Sequence, residues 1–187
     1  MTLSVYFAGP DVFLRDARAV GAKKIQLCKA LGFEGLFPLD GDASGKGAAV
    51  SIFTANRKLM NRADAGLFNL TPFRGPSADA GTVFELGYMA AQGKPIFGYT
   101  SSAVLYADRA ETAMVCDGQR RDRDDYLIED FGLTDNLMIV RAIREAGGDV
   151  AAVNTNGAPS LAAMEAFEMS LDMLEPFSRH RIASTDS

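Results

Sequence analysis

The chain is short of the residues that carry most metal and thiol chemistry, with two cysteines and one histidine among 187 residues. Cys28 and Cys116 are too few and too isolated for a disulfide framework or a metal knuckle. Cys28 instead falls within a helical pattern as a small apolar residue. His180 stands in a polar tail with nothing near it to complete a triad or a metal set, which disfavours Ser-His, Cys-His and zinc mechanisms. Positive charge is also scarce: 19 Lys and Arg face 24 Asp and Glu, a net charge of -5. A nucleic-acid polymer, whose phosphates call for clustered cations, is therefore not an expected partner. No apolar run approaches the ~18 residues of a membrane span, and no basic segment followed by an apolar core opens the chain. The expectation is no membrane and a cytoplasmic location.

With 48% hydrophobic and 23% charged residues, the remainder describes an ordinary globular protein. Its length favours one domain able to bury a substantial core. That domain is read as residues 1–177, followed by a polar, disordered tail over 178–187. No repeat, low-complexity tract or linker interrupts it.

The pattern along the chain alternates strand with helix. Leu3 to Ala8 is a β-rich run ending in Gly9-Pro10, which reads as a strand feeding a turn. Residues 15–31 carry apolar positions at helical spacing and are stopped by Gly32. Glu34 to Leu39 reads as a second strand, Ser51 to Arg62 as an amphipathic helix, Ala65 to Leu70 as a third strand and Ile96 to Thr100 as a fourth, with Gly147 to Val153 supplying a fifth. Strands alternating with helices predict a parallel, doubly wound α/β sheet. A helix is expected around Ala103 to Val115, then a solvated run of mixed charge. Ser160 to Leu174 reads as an amphipathic helix used for core or subunit contact. The polar loop from Asp40 to Gly47 lacks the spacing of a phosphate-binding loop.

The chemistry centres on residues 72–94, PFRGPSADAGTVFELGYMAAQGK. A glycine-rich loop there leads into a helix read over Thr82 to Gln92, with Asp79 in the loop and Glu85 in the helix. In open α/β sheets such loops, at the carboxyl ends of strands, bind ligands. A carboxylate in a first helical turn is also held in its ionised form by the partial positive charge there. Thr82-x-x-Glu85 matches a capping box, which would make Glu85 a fastening for its own helix. Two carboxylates converging from loop and helix instead suit cleavage of a glycosidic bond, one attacking the anomeric carbon.

Three separated stretches, YFAGPDVF, PFRGPSADAGTVFELGYMAAQGK and FGLTDNLMI, resemble the nucleoside 2-deoxyribosyltransferases in the same order, over roughly residues 3–140. The resemblance implies a flavodoxin-like five-stranded sheet and, without any cofactor, transfer of 2-deoxyribose between nucleobases through a covalent intermediate. It implies Glu85 as nucleophile, Tyr6 orienting it, and Asp64 managing the proton on the departing base. It further implies Asp79 on the sugar hydroxyls, Asp42 on the base, and Asn136 and Met138 entering the site of a neighbouring subunit in a homo-oligomer. Gly9 would let the backbone approach the ligand. Local readings stand beside several of these: Asp64 capping a turn, Asn136 capping the helix that follows, Tyr6 as a packed aromatic. Two other functions compete: an N-glycosidase passing the same intermediate to water, and a nucleotide-sensing module without catalysis.

Overall fold

A computed structural model describes residues 2–38, 45–155, 158–174 and 176. The first strand, β1 (Ser4–Ala8), runs through a single 3-10 turn at Pro10–Phe13 into α1 (Ala17–Ala30), then β2 (Glu34–Leu36), α2 (Ala48–Arg62), β3 (Ala65–Asn69), α3 (Ala80–Ala91) and β4 (Ile96–Thr100). Beyond β4 come a short α4 (Tyr106–Arg109), a β5 (Met114–Cys116) and β6 (Gln119–Arg121) pair, α5 (Leu137–Glu145), β7 (Val150–Ala152) and α6 (Met164–Asp172). Among the described residues the main sheet has five strands in the order β2-β1-β3-β4-β7, every neighbouring pair parallel. This is the expected doubly wound, flavodoxin-like arrangement.

Strand alternation builds the two faces. Val5 and Phe7 of β1, Ala65 and Leu67 of β3, and Phe97 and Tyr99 of β4 turn to the side covered by α1 and α6, where Cys28 and Phe167 fill the core. Tyr6, Ala8, Phe68, Leu70 and Ile96 turn to the other side, against Met60 of α2, Leu86 and Met89 of α3, and Ile139 and Ile143 of α5. Side chains at successive strand positions point to opposite faces, so near-continuous apolar runs are what a sheet covered on both sides requires.

The structure corrects the expected helix over Ala103 to Val115. Only Tyr106–Arg109 is helical, and Ala110 is extended with φ -74° and ψ 130°. Beyond it, β5 and β6 pair antiparallel, Met114 with Arg121 and Cys116 with Gln119. Asp117 and Gly118, which join them, have φ of 50° and 76°. Two consecutive positive φ values are the signature of the type I′ turn that Asp-Gly sequences favour, because its twist matches that of the flanking strands. That dipeptide was the available sequence signal for the hairpin. The fifth strand is Val150–Ala152, shorter than its sequence pattern, and the last helix begins at Met164. No helix among the described residues is long and apolar enough to cross a membrane.

Candidate active site

The strand order places a topological switch between β1 and β3. The chain leaves β1 to form α1 on one face, while α2 and α3 lie on the other. The crevice at the carboxyl ends of these two strands is where this architecture receives ligands. Gly9, Asp11, Asn69 and Thr71 lie at that edge, Asn69 as the last residue of β3, and all but Gly9 are buried polar residues. They form one network. Lys24, fully buried on α1, donates to Asp11 at 2.8 Å and to the Tyr99 hydroxyl at 3.0 Å. Asn69 donates to Asp11 at 3.5 Å and to the Leu161 carbonyl at 2.8 Å, and it accepts from the Thr71 amide at 3.1 Å. Burial pulls the Lys24 pKa down, with the neighbouring Asp11 carboxylate working against that. A buried ion pair of this kind holds only because its remaining hydrogen-bonding capacity is met.

Gly9 sits inside this network. A Cβ there would collide with Asn69 Cβ and Asp11 Oδ1, so the missing side chain is needed by protein atoms. Its φ of 169° is ordinary extended backbone, and close approach rather than torsional freedom explains the glycine.

Asp79 is the N-cap of α3, and its Oδ2 accepts from the Thr82 amide at 3.0 Å and the Thr82 hydroxyl at 3.2 Å. The helix thus starts at Ala80, two residues earlier than the sequence reading. Thr82 lies inside it with its amide already satisfied, so the Thr82–Glu85 capping box is not formed. Glu85 stands six residues after the cap and accepts instead from Asn56 Nδ2 of α2 at 3.2 Å. Tyr6, fully buried in β1, belongs to the face that α3 covers with Leu86 and Met89. Tyr6 and Glu85 therefore share one side of the sheet, and Asp79 and Gly9 belong to its carboxyl edge.

Asn56 was missed by sequence reasoning. It follows Ile52 by four residues and precedes Leu59 by three, spacings that share a helix face. All three are half-buried. A polar residue on an otherwise apolar stripe was the signal, but its partner on α3 becomes visible only once the two helices pack.

Asp64 precedes β3, and its carboxylate accepts from the Ser4 amide at 3.0 Å and the Ser4 hydroxyl at 2.9 Å. These bonds latch the amino ends of β1 and β3. The strands are parallel, so this is the edge opposite Gly9, Thr71 and Asp79, and the structure does not bring Asp64 to them. Asn136 caps α5: its Oδ1 accepts from the Met138 amide at 3.0 Å and its Nδ2 donates to Glu129 at 2.9 Å. Met138 is 70% exposed. Asp42 and His180 lie outside the described residues, as does all of the expected tail. Among the described residues no group of three or more His, Cys, Asp or Glu could hold a metal ion.

Fold and site together define an α/β protein of flavodoxin-like topology with a carboxylate-bearing helix at its switch point. A profile of the nucleoside 2-deoxyribosyltransferases matches residues 5–138, and the chain belongs to that family. It is 30% identical to a 2-deoxyribosyltransferase from Leishmania mexicana whose structure covers 91% of this chain and 97% of its own, with a TM-score of 0.63. It is also 35% identical over 168 residues to an uncharacterised protein of Schizosaccharomyces pombe, spanning 79% of this chain and 80% of that one.

Proposed function

We propose that the chain transfers 2-deoxyribose between the bases of 2′-deoxynucleosides by double displacement on Glu85. The observation that carries this reading is the placement of Glu85: it stands in the second turn of the helix that Asp79 caps, and an amide from α2 meets its carboxylate at 3.2 Å. In the first step a Glu85 oxygen bonds to C1′ as the C1′–N bond breaks, and the base leaves with the bonding pair and takes up a proton. In the second, a nitrogen of the incoming base bonds to C1′, loses a proton, and the Glu85 carboxylate is released, with net retention. Asn56 donates to the carboxylate and fixes its orientation, while Tyr6 supports the same face. Asp79 spends Oδ2 on its cap, which leaves Oδ1 for a sugar hydroxyl. Asp64 has no part in this scheme, since its carboxylate is engaged at the far edge of the sheet.

The assembly belongs to the same proposal. A homo-oligomer would bring the exposed Met138, with Asn136, to a neighbouring subunit's cleft, and Asp42 would be the residue that meets the base.

The test is base exchange. Deoxyinosine with free adenine, and deoxyuridine with free cytosine, should yield the exchanged nucleosides. A 2-fluoro-2-deoxynucleoside should leave its sugar on Glu85, read by mass spectrometry of the peptide. Glu85→Ala should lower exchange by about 10³-fold or more with the fold intact by circular dichroism. Free sugar without exchange would make the enzyme an N-glycosidase, and binding without turnover or labelling would make it a sensor.

A further inference from the structure

The loop that carries Asp79 is held from a part of the chain with no place in the chemistry above. Residues 72–79 have one internal backbone bond, from the Phe73 amide to the Ser77 carbonyl at 3.0 Å, and Arg74 sits at φ 57°. Three consecutive residues of the loop are then gripped by Arg109 and Asp135. The Arg109 Nε donates to the Pro76 carbonyl at 2.7 Å. The Ser77 hydroxyl donates to Asp135 Oδ1, and the Ala78 amide donates to Asp135 Oδ2 at 3.0 Å. The remaining guanidinium nitrogens donate to the carbonyls of Val104 and Thr134, and Arg109 Nη2 lies 3.6 Å from Asp135 Oδ2. Asp135 is 1% exposed. Its Oδ1 also accepts from the Asn136 amide at 2.8 Å.

We propose that Asp135 and Arg109 are positioning residues for the deoxyribose site, fixing Asp79 through the three residues before it; this rests on the transferase reading above. The planar, forked guanidinium suits a position where three carbonyls from separate segments must be met at once, which a lysine ammonium on a flexible stem does less well. A buried carboxylate that accepts from both Ser77 and Ala78 leaves the next residue, Asp79, little freedom. A displacement of 1 Å in a substrate-positioning group costs a reaction about 10²-fold, so the clasp has a functional reason beyond stability. The same carboxylate holds the Asn136 amide, so one anchor serves the loop of its own site and the residue offered to the next.

The variants are Ser77→Ala, Ser77→Thr and Asp135→Asn, each also made on a Glu85→Gln chain for equilibrium binding of deoxyinosine by calorimetry. Ser77→Ala should weaken binding and raise the donor KM about fivefold, the worth of one hydrogen bond, with kcat changed less than twofold. Ser77→Thr, which keeps the hydroxyl, should restore both. Independently of any ligand, Asp135→Asn should speed hydrogen exchange of the amides at 77–79 about tenfold and leave those of β3 unchanged. Unaltered exchange at 77–79, or a lower Tm with donor KM and affinity unmoved, overturns the clasp and leaves the transferase reading standing. Failure of the Glu85→Gln chain to bind deoxyinosine, with no base exchange by the unsubstituted protein, overturns both.

Discussion

Asn56 and Glu85 are a pair that no local pattern announces. The glutamate was legible because it follows a glycine-rich loop within a known motif, but the amide that meets it comes from 29 residues earlier in the chain. A hydrogen bond to a charged group is worth about 1.5–3 kcal/mol. Asn56→Ala should therefore lower kcat/KM by about 10- to 100-fold, measured in the deoxyinosine–adenine exchange, with the fold intact by circular dichroism. The cysteines provide a second check at this scale. Burial pushes the Cys28 thiol up to about 12, whereas Cys116 is exposed. The thiolate is the reactive species, so at pH 8 a thiol reagent should titrate one group in the native protein and two after denaturation. The folded thiol keeps its proton above the unfolded value of 9.0, so this group's contribution to stability is complete below pH 9 and is lost as pH rises toward 12.

The elements differ in how openly the sequence declares them. β1, β3 and β4 are apolar runs bounded by turn residues, and their assignments agree with the structure to within a residue or two. α3 begins two residues early because Asp79 takes the cap, a role that the Thr82–Glu85 spacing concealed. Cap and proposed sugar contact can be separated by substitution. Asp79→Ala should cost about 1 kcal/mol of stability through the lost cap, a fall in Tm of roughly 2–4 °C, together with donor binding. Asp79→Asn, an equally good capping residue, should keep Tm and still weaken the donor. The segment between β4 and α5 was the least legible. Its helix-like composition gives way to a hairpin fixed by Asp117-Gly118, and Arg109's three carbonyl partners lie in segments that only the folded chain brings together.

At the scale of the molecule the alternation of strand and helix was enough to foretell a parallel sheet, since crossovers of this length bring successive strands back in the same direction. The same order already sets Asp64, just before β3, and the loop of Asp79, after it, at opposite ends of a parallel strand; what it could not show is that the Asp64 carboxylate is taken up by Ser4 of β1. The proposed assembly has its own test. Mixing Glu85→Ala subunits with Asn136→Ala subunits, each impaired alone, should recover exchange at those sites that combine an intact Glu85 with an intact Asn136 from next door. Recovery that rises with mixing time would report subunit trading, and its complete absence would confine Asn136 to capping α5.

The two outermost strands, β2 and β7, are only three residues each. Edges this brief expose few unpaired amides and carbonyls to a passing chain. Growth of the sheet from one molecule to the next is thereby offered little template.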